Sequence, residues 1–324
     1  MAIPCFHCDD ALPIKLDDGG ALHRCVGCRK LNVILTERAP LNFADYSLLE
    51  MVGLGANATV CRARKRSTGD IVAVKIFYAH RDISSHSRRE FLRELEFARE
   101  LVHPNIIATH NGGEHDDVLF LELEFFHGIN LIEYLEQQGA MPQFAALNVG
   151  IKVAAALDYV WSNHLSIHRD IKPQNVMVNN AGDVKVCDFG MITNHEAAGV
   201  DVSAVEGTPY YLSPECITEG AYADNRSDIY SLGASLYHTM AEKPPFDLDS
   251  LLSVINARLE NEAPDIRIDA PDIDSHISRI LQTMMARDPN QRYVTAWECA
   301  EDMQRVCNQQ EPQLYNPDRD RRNE

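Results

Sequence analysis

The spacing of apolar residues changes along this chain, and that change constrains its fold more than any other feature. From Tyr46 to Phe77 three runs, SLLEMVGLG, ATVCRAR and DIVAVKIF, are strand-like and are separated by a glycine-containing turn and by Ser67 to Asp70. This is the pattern of a hairpin meander in an antiparallel sheet. Ser87 to Leu101 then places Phe91, Leu92, Leu95 and Ala98 among charges at a helical period, which His103, Pro104 and Asn105 end. Beyond Leu131 helical patterning prevails, over 143–162, 224–241, 249–260, 275–286 and 294–306, around a strand-rich insertion at 166–190. Together these periods predict an α+β protein with a small antiparallel-sheet lobe and a larger helical lobe.

Size and charge narrow the classes further. A chain of 324 residues suits one large domain or a large one plus a small one. Its net charge of −18 argues against general binding to nucleic acid or anionic membrane, which depends on clustered Lys and Arg. The start, MAIPCFHCDD, lacks the features of a secretory signal, and the most apolar region, Leu147 to Leu165, contains Lys152, Asp158 and Asn163. A cytoplasmic location without membrane attachment is therefore expected.

Residues 1–35 are poor in apolar side chains and broken by Gly19, Gly20 and Gly27, so this segment needs a staple. Cys5 and Cys8 form one CxxC pair and Cys25 and Cys28 another, with sixteen residues between Cys8 and Cys25. Two such knuckles suit a closed tetrahedral zinc site of four thiolates, whose metal supplies folding energy. Redox pairs are the other reading, but the βαβ context of a thioredoxin-like motif is missing. The segment resembles a zinc ribbon. Its basic residues (Lys15, Arg24, Arg29, Lys30, Arg38) are balanced by acidic ones, so a protein partner is expected in preference to nucleic acid. Residues 36–45, with Pro40, read as a linker, and 308–324 as a flexible polar tail.

The turn from Gly53 through Gly55 to Ala58 lies between two strands, where backbone amides can cover the phosphates of a nucleotide. Alone it reads first as a plain hairpin turn, since Ala58 stands where a third glycine completes the pattern. On the strand Val72 to Lys75, alternation buries Val72 and Val74 and sends Ala73 and Lys75 to the other face, and Glu94 on the next helix is a carboxylate partner for Lys75. HRDIKPQN follows at 168–175, DFG at 188–190 and SPE at 213–215.

In this order and spacing the motifs resemble the eukaryotic-type (Hanks-type) serine/threonine protein kinases, over residues 46–307. The resemblance implies a bilobal kinase fold, ATP and Mg²⁺ as cofactors, and protein substrates phosphorylated on Ser or Thr. It implies Asp170 as catalytic base, Lys172 beside the transferred phosphate, a Lys75–Glu94 pair, and Asn175 and Asp188 as magnesium ligands. ATP is expected to meet Gly53, Gly55, Val60, Ala73, Lys75, Leu123 and Met177, with backbone bonds from Glu124 and Phe126. A buried Glu215–Arg292 pair and a bracing role for Asp228 follow likewise. The activation loop falls at 191–207, with Ser203, then Thr193, as acceptor of a phosphate received by Arg169, or with acidic Asp201 or Glu206 already in that role. Arginine-directed relatives carry acidic residues where Asn130 and Gln174 stand, so arginine-directed substrates are not expected. A catalytically silent scaffold is the competing reading; intact Lys75, Glu94, Asp170, Asn175 and Asp188 favour activity.

Overall fold

The computed structural model describes residues 3–12, 20–36, 40–55, 57–78, 85–189, 193–194, 210–218 and 221–314. The chain divides into two compact units, Met1–Val102 with Ile107–Phe126 and His103–Ile106 with His127–Glu324.

The first unit begins with two short hairpins, β1 (Ile3–Pro4) with β2 (Ala11–Leu12) and β3 (Ala21–Arg24) with β4 (Leu31–Ile34). Each is turned by a CxxC knuckle, and the two knuckles repeat one geometry. The residue after each second cysteine, Asp9 or Arg29, has a φ of 61°. Cys5 N–H donates to the Asp10 carbonyl at 2.8 Å, and Cys25 N–H to the Lys30 carbonyl at 3.0 Å.

An antiparallel sheet follows, in the order β5 (Leu41–Phe43), β6 (Tyr46–Leu54), β7 (Ala58–Lys65), β8 (Ile71–Phe77), β10 (Val118–Glu124), β9 (Thr109–His115). Helix α1 (Ser85–Glu100) packs through Phe91 and Leu95 with Leu119, Phe77 and Leu121. All four residues of β4 are buried, because the strand serves two cores at period two. Leu31 and Val33 share a cluster with Tyr46, Leu48, Cys61 and Val74 of the sheet. Ile34 joins Cys5, Leu12 and Cys25, and Asn32 Nδ2 donates to Cys5 Sγ at 3.5 Å. The second hairpin thus shares one core with the sheet and another with the first hairpin.

The second unit is mainly helical: α2 (Leu131–Gln138), α3 (Gln143–His164), α4 (Pro214–Ile217), α5 (Asn225–Ala241), α6 (Leu251–Glu260), α7 (Ser275–Met284) and α8 (Ala296–Cys307). The five helical stretches read from apolar period coincide with α3, α5, α6, α7 and α8 within two residues at each end. Strands β11 (Ile129–Asn130), β13 (Val176–Val178) and β14 (Val184–Val186) form a small sheet, while β12 (Ser166–Ile167) pairs with β15 (Thr193–Asn194). Among the described residues α3 alone is long and apolar enough to cross a membrane by length and composition, but half of that stretch is buried. It packs against α5 and α8 as a core helix. Capping boxes start α2 at Asn130 and α8 at Thr295, each satisfying amides that a helix leaves open.

Gly233 lets α5 approach α7 closely. A Cβ there lies 2.9 Å from both Met284 Cβ and Met285 Cγ. Gly233→Ala is expected to destabilise the unit by about 1–3 kcal/mol, because overpacking outweighs the better helix propensity of Ala. Urea unfolding checks this; equal or higher stability contradicts it.

Candidate active site

Each unit carries part of the expected site. In the first, strand register aligns the nucleotide residues. Gly53 pairs with Val60 and Val60 with Lys75, while Ala73 faces Leu123. Directly opposed residues share a sheet face, as do Ala73 and Lys75 two apart on β8, so Gly53, Val60, Ala73, Lys75 and Leu123 lie together on one face. Val72, Val74 and Ile76 fill the core on the opposite face. The turn is closed by Gly55 N–H donating to the Ala58 carbonyl at 2.9 Å.

Lys75 lies over the Phe77 ring at 5.6 Å, and Phe77 meets Phe91 of α1 edge-on at 5.7 Å. The helix carrying Glu94, one turn beyond Phe91, is therefore docked on the strand carrying Lys75. Loss of water around Glu94, then the neighbouring charge of Glu90, raises its pKa. Glu124 ends β10, tied by its N–H to the Ala108 carbonyl at 2.8 Å and by its carboxylate to Ala108 N–H at 3.2 Å. Phe126 is the last residue of the unit.

In the second unit the structure brings together Asp170, Lys172 and Asn175. Asp170 Oδ2 accepts from Lys172 Nζ at 2.8 Å and from Asn175 Nδ2 at 2.9 Å. Asn175 Nδ2 also donates to the Asp170 carbonyl at 2.8 Å. Cys187 N–H donates to the Asn175 carbonyl at 2.9 Å, placing the segment that carries Asp188 beside that of Asn175. Asp188 and Arg169 hold left-handed backbone, with φ of 65° and 64°. Such strain in non-glycine residues is characteristic of over-determined functional loops. Met177 lies on β13, opposite Asn130.

The loop is braced from below by Asp228 on α5. Its Oδ2 accepts from His168 N–H at 2.6 Å and its Oδ1 from Arg169 N–H at 2.9 Å. Burial raises the Asp228 pKa, against the opposing effects of His168 and the backbone donors. Glu215 and Arg292 form the expected buried pair, with Arg292 Nη1 and Nη2 at 2.7 and 2.8 Å from the two carboxylate oxygens. Ser203 lies outside the described residues. Thr193 lies on β15, opposite Ile167.

Several contributors escape a reading by motif. His168 Nδ1 accepts from Asp170 N–H at 3.2 Å, which leaves the ring proton on Nε2 for the Cys187 carbonyl at 3.0 Å. The ring also meets Phe189 at 4.5 Å, so His168 connects the Asp170 loop to the Asp188 segment. Arg258 is fully buried, donates to the carbonyls of Tyr210 and Leu212, and stacks on Tyr230 and Phe246. Its position in the run LLSVINARLE carries no signal for this. Asn130 is a helix cap whose Oδ1 accepts from Ile132 and Glu133 N–H, and Gln174 is exposed.

The four N-terminal sulfurs lie within 4.8 Å of one another, with Cys5–Cys28 and Cys8–Cys25 each at 3.6 Å. A tetrahedral zinc with Zn–S of about 2.3 Å holds its sulfurs about 3.8 Å apart, so the donor set fits. Burial alone raises the Cys5 thiol, but N–H groups of His7 and Asn32 on its sulfur bring it down to about 6, while Cys8 and Cys28 are raised. Asn32, buried and polar in an apolar strand, also accepts from Phe6 N–H at 2.9 Å and so steadies the first knuckle.

A family model described as protein kinase domain matches residues 46–304. The serine/threonine-protein kinase PrkC of Bacillus subtilis is 33% identical over 260 residues, covering 80% of this chain and 39% of PrkC. The serine/threonine-protein kinase PknB of Mycobacterium tuberculosis is 34% identical over 286 residues, covering 85% of this chain and 45% of PknB. The chain thus spans less than half the length of these relatives. Among solved structures, the PknI kinase domain of Mycobacterium tuberculosis has a TM-score of 0.64 at 26% identity, covering 83% of this chain and 99% of that one. Rad53 in complex with AMP-PNP has a TM-score of 0.66 at 26% identity, covering 79% and 64%.

Proposed function

The chain belongs to the protein kinase family, and on that premise we propose that it transfers the γ-phosphoryl group of ATP to Ser and Thr hydroxyls of protein substrates. The observation that carries this reading is the Asp170 carboxylate, held between Lys172 and Asn175 on a loop anchored by Asp228. Phosphoryl transfer asks a protein for positioning and charge neutralisation more than for covalent chemistry. Asp170 orients the acceptor hydroxyl and takes its proton as the new O–P bond forms and the bond to the leaving phosphate oxygen breaks. Lys172 offsets charge on the transferred group. Lys75, directed by Glu94, holds the nucleotide phosphates, and the amides of Gly53 and Gly55 cover them. Val60, Ala73, Leu123 and Met177 contact adenine, with backbone bonds from Glu124 and Phe126. Asn175 and Asp188 offer hard oxygens on adjoining segments that suit Mg²⁺, which when bound neutralises phosphate charge.

We assign 1–35 to the ribbon, 46–307 to the kinase domain and 308–324 to a polar tail, while 36–45, expected as a linker, also carries the edge strand β5. The protein acts in the cytoplasm, on substrates without a required upstream arginine, and phosphorylates its own Ser203 or Thr193. With γ-labelled ATP, Mg²⁺ and a generic protein substrate, phosphoamino-acid analysis is expected to find label on Ser and Thr. No incorporation, or label on Tyr alone, rejects the proposal.

Cys5, Cys8, Cys25 and Cys28 hold zinc, which supplies the folding energy that their small cluster lacks, and the ribbon serves regulation or partner recruitment. Elemental analysis is expected to give about one zinc per chain, and none in Cys5→Ser/Cys28→Ser. A metal-free wild type with disulfides in these positions contradicts the assignment.

A further inference from the structure

We infer that Tyr78 is a positioning residue through which the four-cysteine ribbon holds the glycine-rich turn in place. The inference rests on the reading of that turn as phosphate-binding. Tyr78 follows β8, three residues beyond Lys75, and makes contacts toward both the turn and the ribbon.

On the turn side, Tyr78 N–H donates to the Asn57 carbonyl at 2.9 Å, and its hydroxyl bonds Thr59 Oγ1 at 2.7 Å. Both partners lie at the end of the glycine turn where β7 begins. Thr59 is 1% and Tyr78 5% exposed, so these bonds are shielded from water. On the ribbon side, the Tyr78 carbonyl accepts from Arg24 Nη1 at 2.9 Å, and the same nitrogen donates to the Arg29 carbonyl at 3.1 Å, one residue past Cys28. The Tyr78 ring meets His7 edge-on at 4.4 Å, and His7 N–H donates to Cys5 Sγ at 3.4 Å. The first knuckle therefore reaches Tyr78 through His7, and the second through Arg24.

One residue thus receives both knuckles and grips the turn with two polar groups. A hairpin turn is ordinarily held only by its flanking strands and its own closing bond, and it samples several positions. Pinning it before nucleotide arrives removes part of the ordering cost of binding. Because His7 and Arg29 are set by the geometry of the cysteine knuckles, loss of the metal or oxidation of the thiols releases the pin. The ribbon is then an internal brace that couples its metal and redox state to nucleotide affinity.

Hydrogen exchange of the full chain tests this without requiring catalysis. Arg24→Met is expected to keep the zinc content of wild type yet to speed exchange in a peptide covering 53–60, while peptides of β9 and β10 stay unchanged. Affinity for a fluorescent ATP analogue falls about threefold to tenfold. Arg24→Lys recovers part of both effects, and Tyr78→Phe speeds exchange at Thr59. Stripping zinc from wild type reproduces the Arg24→Met effect, and stripping it from Arg24→Met adds little. Unchanged exchange at 53–60 in zinc-loaded Arg24→Met overturns the inference, as does equal loosening of both proteins on stripping. If exchange responds as expected while wild type binds no nucleotide, the brace stands and the kinase reading falls.

Discussion

Asp170→Asn is expected to lower phosphoryl transfer by about 10²–10⁴-fold, the usual worth of a positioned general base, with nucleotide affinity within a factor of about two of wild type. The substitution preserves shape and removes the negative charge. In the wild type a single oxygen, Oδ2, accepts from both Lys172 and Asn175. An asparagine satisfies those donors only by turning its carbonyl oxygen toward them, which leaves its NH₂ facing the acceptor hydroxyl, where it cannot take a proton. The backbone bond from Asp170 N–H to His168 Nδ1 and the Asp228 brace are untouched, so the loop keeps its form. Single-turnover rates at saturating ATP, beside nucleotide titrations, measure the split. A rate within threefold of wild type removes Asp170 from the mechanism.

Arg292→Met is expected to cost about 3–5 kcal/mol of stability, since breaking a buried pair strands its partner. For a unit of this size that is a fall in melting temperature of roughly 10 °C. Arg292 is fully buried. Besides Glu215, it donates to the carbonyls of Ala286 at 2.7 Å, Arg226 at 2.9 Å and Arg287 at 3.2 Å, and it stacks on Tyr230 at 4.9 Å. Without it Glu215 keeps Ser227 Oγ at 2.6 Å as its remaining side-chain donor among the described residues.

The pH dependence carries its own sign. Burial favours the neutral Glu215 acid, but the Arg292 bonds and charge outweigh it and hold the carboxyl below its ordinary value of 4.5. Its contribution is therefore present above 4.5 and lost as pH falls through the lower folded value. In Arg292→Met the stranded carboxylate titrates above 4.5, so acidification stabilises the variant relative to wild type and narrows the gap. Denaturant titrations at pH 7 and pH 4.5 read both effects. A gap that is absent at pH 7, or that widens in acid, contradicts this account.

Much of the fold was legible because it is written in local spacing. A helix shows its buried stripe within its own residues, so the period over 143–162 anticipates α3 at Gln143–His164. CxxC knuckles and the HRDIKPQN run are equally local. Elements whose reason lies elsewhere in the chain were not legible. Leu41–Phe43, in the stretch read as a linker, is an edge strand because β6 offers it a partner. β9, THNGGEH, has no apolar alternation and is a strand because β10 supplies its register; a Cβ at Gly112 would meet the Phe120 carbonyl at 2.8 Å.

The sequence by itself determined the class of protein, the identities of the chemical groups and the two CxxC knuckles, since each depends on residue type and short-range spacing. Only the tertiary structure decided what those groups lean on. It made β4 a strand shared by two cores, gave His168 two backbone segments to join, buried Arg258 against carbonyls some fifty residues earlier, and set Tyr78 between ribbon and turn. Hydrogen bonds and packing act over a few ångströms of space without regard to separation along the chain, so partners 19 and 54 residues from Tyr78 leave no trace in its neighbourhood of sequence.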